Sequence, residues 1–185
     1  MSTTLSPEQA LSALRKAELL YSPEEVCAAL DRLAIEVTAR LEYRDPLALM
    51  VMNGAFIPAA QLLGRLQFPL QVGYVHATRY RSGIRGGEID WIARPRPAVE
   101  GRVVLVIDDI FDEGDTLKAI VEEVHRQGAV ETYSAVLVNK QHDRKVAGLT
   151  VDFIGLEIPD RYVFGCGMDY HEYWRQLPGI YAIHD

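Results

Sequence analysis

The chain has 185 residues, of which 49% are apolar, so it is long and apolar enough for one domain with a sizeable core. Its 26 acidic and 19 basic residues give a formal net charge of −7, which argues against a general nucleic-acid binder and means that an anionic ligand needs local cations or a metal. The two cysteines, Cys27 and Cys166, are far apart, and charged residues interrupt the first 20 positions. We therefore expect a single cytoplasmic domain over residues 1–185, with no disulfide framework, signal peptide or membrane span.

Predicted helices and strands alternate along the chain. Ser6 and Ser22 each begin a capping box with proline at the first helical position, which predicts a helix after each of them. Short apolar runs predict strands, and apolar stripes at helical spacing predict the helices between them. This alternation favours an α/β fold with a doubly wound parallel sheet. The predicted strands cover residues 47–52, 70–77, 89–92, 103–107, 132–138, 151–154 and 180–183, and two further helices cover 57–66 and 117–127.

Two segments between these elements lack a regular pattern. Residues 79–88 are basic, glycine-rich and aperiodic, which predicts a mobile loop. Residues 94–97 read Arg-Pro-Arg-Pro, and because proline has no N–H to donate, we expect this run to exclude regular strand pairing. It is predicted to be a connector that leads into the central strand.

The segment from residue 103 to residue 116 is the most informative part of the chain. A run of buried-strand character at 103–107 leads into several acidic residues, then a glycine and the start of a helix. In an open α/β sheet, ligands bind at the carboxyl end of such a strand. Free N–H groups at the helix start favour a phosphate, and carboxylates suit Mg²⁺. The alternative is a solvated acidic loop in which Asp115 only caps the helix.

This segment resembles the phosphoribosyl-pyrophosphate-binding signature of the type I phosphoribosyltransferases. Three further segments, at 52–56, 138–140 and 152–175, are similar to motifs of the hypoxanthine-guanine branch of that family and occur in the same order. The resemblance covers most of the chain. It implies a phosphoribosyltransferase-type fold, with a central parallel sheet flanked by helices and a small hood formed by the chain ends.

The resemblance implies a role in purine salvage. The reaction is the Mg²⁺-dependent transfer of 5-phosphoribosyl from phosphoribosyl pyrophosphate to N9 of hypoxanthine or guanine, which gives IMP or GMP and pyrophosphate. The family also implies a homodimer or homotetramer. The residues do not rank hypoxanthine, guanine and xanthine.

Two other functions fit parts of the pattern. A nucleotide-sensing regulator with the same fold would keep the nucleotide site and bind nucleic acid. The acidic net charge argues against this, and so does Asp112, which matches the proton carrier of the enzymes in the family. A response-regulator-like receiver also has acids at strand ends, but its acidic pair follows an early strand rather than residue 107.

By resemblance, the acidic segment binds the phosphoribosyl group. Asp112 is the proton carrier for N7 of the purine, and Asp108 and Asp109 hold Mg²⁺. The family usually has Glu at 108 and Thr at 113, so we expect the additional carboxylates of the loop to point away from the phosphate. The 5′-phosphate is expected to bind the backbone N–H groups of a phosphate loop formed by Asp112, Glu113, Gly114, Asp115 and Thr116.

The C-terminal half is expected, again by resemblance, to bind the base and the pyrophosphate. Lys140 donates to the 6-oxo oxygen of the purine, Tyr162 stacks on its ring, and the Val163 backbone bonds its edge. Asp169 binds a second Mg²⁺, and Arg175 grips pyrophosphate. Without the resemblance, Lys140 and Arg175 are ordinary surface charges.

Asn53 and Gly54 match a pyrophosphate-binding loop that contains a strained or cis peptide in the family. Many relatives have lysine in place of Asn53, so this loop offers backbone N–H groups and an amide but no positive charge. Tyr80 matches a closing loop over the site. Arg79 and Arg81 beside it either supply the missing charge or serve only solubility.

Overall fold

A six-stranded, mostly parallel sheet forms the centre of the fold, and a separate three-stranded sheet lies beside it. The computed structural model describes residues 5–79 and 89–183. The strands are β1 (Glu18–Tyr21), β2 (Leu47–Val51), β3 (Gln71–Arg79), β4 (Ile89–Arg96), β5 (Val103–Phe111), β6 (Glu131–Gln141), β7 (Phe153–Pro159), β8 (Val163–Phe164) and β9 (Ile180–Ala182), and the helices are α1 (Pro7–Lys16), α2 (Pro23–Leu41), α3 (Phe56–Leu63) and α4 (Asp115–Arg126).

Both predicted capping boxes are present. The Ser6 and Ser22 hydroxyls accept from the backbone N–H groups of Gln9 and Glu25, and the side chains of Gln9 and Glu25 accept from the serine N–H groups. Each box satisfies N–H groups that the first helical turn leaves without a helical partner. The helices therefore begin where the sequence predicted.

The large sheet has the order β4-β3-β2-β5-β6-β7. Every neighbouring pair is parallel except β3 with β4, which is antiparallel. Val104, Leu105, Val106 and Ile107 of β5 are all buried although successive side chains point to opposite faces, so helices must cover both faces. Helices α2 and α3 pack against each other and on the sheet, and α4 packs on β3 to β6 from the other face.

The small sheet is a hood made from both ends of the chain. Its order is β1-β9-β8, so an N-terminal strand pairs with a C-terminal one. Arg161 ties the hood together by an ion pair to Glu18 at 2.6 Å and a hydrogen bond to the Ile183 carbonyl. The Trp174 indole N–H donates to the Ala10 carbonyl and docks α1 on this layer. The expected phosphoribosyltransferase-type architecture is confirmed.

The prediction for residues 94–97 is wrong. Strand β4 continues to Arg96, whose Cα pairs with that of Tyr74, and the Arg96–Pro97 peptide that follows is cis. Because β4 is the edge strand, the missing N–H of Pro95 does not break an internal ladder. The short strands β1 and β8 were not predicted, and β5 and β6 run further than their apolar runs.

Among the described residues, no helix is long and apolar enough to cross a membrane.

Glu123 of α4 is a buried carboxylate that links the helix to the edge strand. Arg94 of β4 donates to it at 2.5 Å, Arg126 through two nitrogens at 2.7 and 2.8 Å, and Gln127 at 2.7 Å. The hydrogen bond from Arg126 is the largest influence, and against the opposing effect of burial it lowers the pKa of Glu123 to about 2. The ionised form is therefore favoured by folding.

We expect Glu123 to make stability pH-dependent in acid. Its contribution is complete above the ordinary carboxyl pKa of 4.5 and is lost as the pH falls through about 2, because over this range the unfolded chain binds a proton that folding has to release. Glu123→Gln should lower the free energy of unfolding at pH 7 by about 1–3 kcal/mol and flatten its decline below pH 4.5. Urea unfolding at pH 7 and pH 3 measures both, with exposed Glu122→Gln as the control. An unchanged acid slope in Glu123→Gln would contradict the assignment.

Candidate active site

Most of the predicted site residues lie at the carboxyl ends of β2, β5 and β6. The chain proceeds from β2 to β3 on one side and from β5 to β6 on the other, so the strand order reverses between β2 and β5. This is the crevice in which open α/β sheets bind ligands. Residues 53–54 follow β2, and the acidic segment lies beside them at the end of β5.

Asp108 and Asp109 lie inside β5, whereas we had predicted that the strand ends before them. Both are buried. The Asp109 N–H donates to Asp108 Oδ1 at 2.9 Å, and the Ile110 N–H donates to Asp109 Oδ1 at 2.9 Å. Burial, together with the charge of Asp109, raises the pKa of Asp108 well above its ordinary value. Burial also raises the pKa of Asp109, although its hydrogen bond with Asp108 and the charge of Arg175 oppose the shift.

Two adjacent buried carboxylates are suited to a cation, because a cation removes the repulsion between them when both are ionised. No three His, Cys, Asp or Glu side chains converge as a metal-binding group within residues 5–79 and 89–183. The donor set here is therefore two carboxylates. This fits Mg²⁺, which takes oxygen ligands and usually keeps waters or binds substrate phosphates as well.

The loop after β2 is wedged between the acidic strand and the C-terminal segment. The Met52–Asn53 peptide is cis, as the resemblance implied. A Cβ on Gly54 would lie 2.2 Å from Asp109 Oδ2, and a Cβ on Gly167 would lie 2.1 Å from the Gly54 carbonyl oxygen. Only glycine permits these two close approaches. The loop is thus held at a fixed place directly beside Asp109.

Asp112 is held by two side chains from the end of β6. Lys140 Nζ donates to its Oδ2 at 2.7 Å, and His142 Nε2 lies 2.7 Å from its Oδ1. Burial alone would raise the pKa of Asp112, but the hydrogen bonds from Lys140 and His142, together with the charge of Lys140, outweigh it and lower the pKa. Asp112 is therefore an ionised carboxylate with a defined orientation, although its side chain is 44% exposed.

The loop between β6 and β7 packs against the phosphate loop. The Val146 N–H donates to the Glu113 carbonyl at 2.8 Å, and Lys145 Nζ donates to the Phe111 carbonyl at 2.6 Å. Glu113 Oε1 lies 3.9 Å from Arg144 Nε, in an ion pair with the same loop. Burial lowers the pKa of Lys145, whose Nζ also lies 3.8 Å from the centroid of the Phe111 ring.

The start of α4 has the form expected of an anion site. Gly114 is the N-cap residue, with φ 91°, and makes no side-chain capping hydrogen bond. Asp115 is the first residue of the helix, so the alternative in which Asp115 caps it does not describe this loop. Thr116 follows in the first turn and is half-buried. A helix start of this form presents backbone N–H groups to a phosphate.

The hood contributes the remaining predicted residues. Tyr162 is 51% exposed and packs edge-on against the Tyr170 ring, with its hydroxyl donating to the Asp169 carbonyl. Val163 is buried in β8. Arg175 Nη2 lies 2.7 Å from Asp169 Oδ1, and its Nη1 donates to the Gly167 carbonyl. The charge of Arg175 also acts on Asp109, which connects the Arg175–Asp169 pair with the acidic strand.

Asp169 and Tyr80 differ from the other predicted site residues. The carboxylate of Asp169 is engaged by Arg175 and by the Glu172 N–H at 2.9 Å, so a metal there would share it with an arginine. Tyr80 and the predicted closing loop at 80–88 lie outside the described residues.

His142 was missed by the sequence reasoning. It follows Lys140 by two positions, and side chains two apart along a strand point to the same side. That spacing at the end of β6 was the available signal. A lone histidine in a polar loop has no other feature that marks it, so its partner Asp112 becomes visible only in the fold.

Comparison with known proteins agrees with this geometry. A sequence model of the phosphoribosyl transferase domain matches residues 17–171. The chain is similar to hypoxanthine-guanine phosphoribosyltransferases of Bacillus subtilis, with 35% identity over 88% of this chain and 91% of that protein, and of Aquifex aeolicus, with 30% identity over 92% and 97%. A hypoxanthine phosphoribosyltransferase structure from Staphylococcus aureus has a TM-score of 0.87 and 25% identity, covering 92% of this chain and 94% of that one.

The fold and the site define a phosphoribosyltransferase. The chain belongs to this family, in its hypoxanthine-guanine branch, and the resemblance stated from the sequence is confirmed.

The support of the phosphate loop can be tested at Gly114. Its φ of 91° disfavours any side chain, and a Cβ would also lie 2.2 Å from Cε2 of the Phe111 ring. Gly101 has a similar φ of 70°, but a Cβ there meets nothing within 4 Å. We therefore expect Gly101→Ala to cost about 1 kcal/mol of unfolding free energy, and Gly114→Ala to cost about 1–3 kcal/mol more because of the ring. Equal losses in urea unfolding would mean that the ring moves aside freely.

Proposed function

We propose that this protein catalyses the Mg²⁺-dependent transfer of 5-phosphoribosyl from phosphoribosyl pyrophosphate to N9 of hypoxanthine or guanine. The products are IMP or GMP and pyrophosphate. Purine salvage by phosphoribosyl transfer follows from the family. The observation that carries the particular assignment is the ionised carboxylate of Asp112, which is the first residue of the phosphate loop and accepts a hydrogen bond from Lys140.

The reaction replaces one bond at the anomeric carbon by another. The C1′–O bond to pyrophosphate breaks with its electron pair leaving on oxygen, and N9 of the purine forms the new C1′–N bond through an oxocarbenium-like sugar. The base thereby acquires a positive charge unless a proton departs. We propose that the Asp112 carboxylate takes or holds the N7 proton as this charge develops. Its lowered pKa keeps it available as a base at neutral pH.

Asp108 and Asp109 are the residues that would hold Mg²⁺ over the ribose and the pyrophosphate. When bound, Mg²⁺ supplies positive charge that stabilises the leaving pyrophosphate. Asp169 is proposed as a ligand of a second Mg²⁺, with Arg175 beside it as the cation that contacts pyrophosphate through its guanidinium. The Asn53–Gly54 loop contributes backbone N–H groups beside Asp109.

Recognition of the base requires Lys140 to present at least one N–H group to the purine. Its ammonium donates to Asp112 here, and to contact the 6-oxo oxygen of a purine it must turn some or all of its N–H groups toward the base. Tyr162, half-exposed at the hood, is proposed to stack on the purine, and the Val163 backbone to bond its edge. Tyr80 and the loop that contains it are proposed to close over the site and exclude water.

We also propose a cytoplasmic homodimer or homotetramer. The family resemblance supports the oligomeric state, and the two widely separated cysteines, which indicate a reducing compartment, support the location.

The function is tested by product formation. Purified protein with phosphoribosyl pyrophosphate and Mg²⁺ should convert hypoxanthine to IMP and guanine to GMP, with one pyrophosphate released for each nucleotide. EDTA should stop the reaction, and added Mg²⁺ should restore it. Absence of both nucleotides under saturating substrates would reject the proposal, and activity that persists in EDTA would reject its Mg²⁺ part.

Asp112→Asn should reduce kcat about 10²–10⁴-fold, the usual contribution of a positioned acid or base. The carboxylate accepts from two donors, so the new amide must turn its NH₂ toward either Lys140 or His142. The KM for phosphoribosyl pyrophosphate should change little, because phosphate contacts in this loop use the backbone. Steady-state kinetics measure both values, with Asp31→Asn on α2 as a control. Turnover near that of the wild type would remove Asp112 from the mechanism.

Lys140 should select 6-oxopurines over adenine. Lysine can only donate, whereas position 6 of adenine carries an amino donor, so wild-type kcat/KM should favour hypoxanthine over adenine by up to about 10⁴. Lys140→Met should lower kcat/KM for hypoxanthine about 10–100-fold without a matching gain for adenine. The exposed Lys16→Met on α1 is the matched control. Comparable turnover of adenine and hypoxanthine by the wild type would contradict the role given to Lys140.

A further inference from the structure

The side chain of His142 is one of the least exposed polar groups at the site. Only 3% of it is exposed, compared with 44% for the Asp112 carboxylate that it contacts. A buried imidazole needs partners for both ring nitrogens, and both partners are defined here. They determine which proton the ring carries.

The contacts of His142 fix a neutral tautomer. The backbone N–H of Arg144 donates to Nδ1 at 3.1 Å, so Nδ1 carries a lone pair. Nε2 then carries the single proton and donates it to Asp112 Oδ1 at 2.7 Å. Since this N–H is directed at Asp112, the ring is not itself oriented toward a base as a proton carrier.

The Arg144 backbone that fixes the ring is anchored in turn. The Arg144 guanidinium binds both carboxylate oxygens of Asp160 at 2.8 and 2.9 Å, which ties the β6–β7 loop to the end of β7. A bidentate pair of this kind fixes both the distance between the two side chains and their relative orientation. His142 is therefore a rigid donor at the end of a short, anchored chain of contacts.

The two donors to Asp112, Lys140 and His142, differ in mobility and in their role in the proposed reaction. Lys140 has a long, flexible side chain, and in the proposed function it turns toward the purine. Burial and the Arg144 N–H hold His142 in place, so its hydrogen bond to Asp112 Oδ1 remains when Lys140 turns toward the purine. With a single mobile donor, a carboxylate that is 44% exposed would be free to rotate as the base binds.

We propose that His142 is a positioning residue, which holds Asp112 in the orientation that faces N7 of the purine while Lys140 exchanges Asp112 for the base. This inference rests on the proposed function, because it assigns His142 a part in the same reaction. Misplacement of a reacting group by about 1 Å can cost on the order of 100-fold in rate, which sets the scale of the expected effect.

Substitutions at residue 142 separate the donor from the volume of the ring. His142→Leu keeps bulk but has no donor, and should lower kcat about 10–100-fold while changing the KM for phosphoribosyl pyrophosphate less than about threefold. His142→Gln carries an amide N–H near the position of Nε2 and should recover most of that loss. His125→Gln, an exposed residue of α4, is the matched control. A kcat for His142→Leu equal to wild type, or no recovery in His142→Gln, would overturn the proposal.

A double-mutant cycle tests whether His142 acts through Asp112. In an Asp112→Ala background the imidazole has no carboxylate to orient, so His142→Leu should cause no further loss of kcat. If His142 only stabilised the loop, the two losses would multiply. Multiplicative losses would therefore overturn the positioning role even if each single variant were slow.

The tautomer of His142 can be measured independently of catalysis. Nitrogen-15 NMR of uniformly labelled protein, with His142→Gln used for assignment, should give a neutral His142 ring protonated at Nε2 and not at Nδ1. Asp112→Ala should shift the Nε2 signal. If the wild type made no IMP or GMP, the proposed function would fail whatever these spectra gave. If it made both while His142 was protonated at Nδ1, only the positioning role would fail.

Discussion

The hydrogen bonds between the end of β6 and Asp112 depend on strand register. Phe111 pairs with Asn139 in the parallel β5–β6 ladder, so the next residue of each strand, Asp112 and Lys140, come level with each other. A slip of one residue would turn Lys140 and His142 to the other side of the sheet. Because the chain continues from Asp112 into the start of α4, the same register sets the distance from Lys140 to the start of that helix. The centre of β5 is buried on both faces of the sheet, and this burial allows only one register.

The charges of the site are arranged in two zones with different behaviour. Toward β2, Asp108 and Asp109 are buried side by side, and burial raises the pKa of both. Toward β6, Asp112 has nearby donors and a lowered pKa. Added positive charge would stabilise the ionised form of both carboxylates in the first zone, whereas the second zone already has positive charge beside its carboxylate. This division is consistent with the proposed function, in which Mg²⁺ is assigned to the first zone and the proton carrier to the second.

Much of the fold and of the candidate site could be predicted from the sequence. Capping boxes at Ser6 and Ser22 and the apolar runs of the inner strands carry strong local signals, and both were found in the structure. The hood strands β1 and β8 have four and two residues, too few for a periodic pattern, and they exist because distant chain ends pair. The polar ends of β5 and β6 were missed because ladder hydrogen bonds, rather than apolar side chains, extend those strands.

The site residues likewise divide into those with a local sequence signal and those that only the fold brings together. The acidic segment was recognisable because its residue types and spacing are contiguous in the chain. His142 was not, because its meaning comes from a partner 30 residues earlier in the sequence. The engagement of Lys140 with Asp112 also depends on the fold: each residue was assigned a separate role, and their contact connects the two roles.

A crystal structure of the protein with IMP, pyrophosphate and Mg²⁺ would test these roles of Lys140 and Asp112 together. We expect Lys140 Nζ at about 3 Å from the 6-oxo oxygen, Asp112 facing N7 while still hydrogen-bonded to His142 Nε2, and the 5′-phosphate on the backbone of residues 112–116. A nucleotide whose 6-oxo oxygen has another donor while Lys140 remains on Asp112, or whose phosphate lies away from this loop, would contradict these roles.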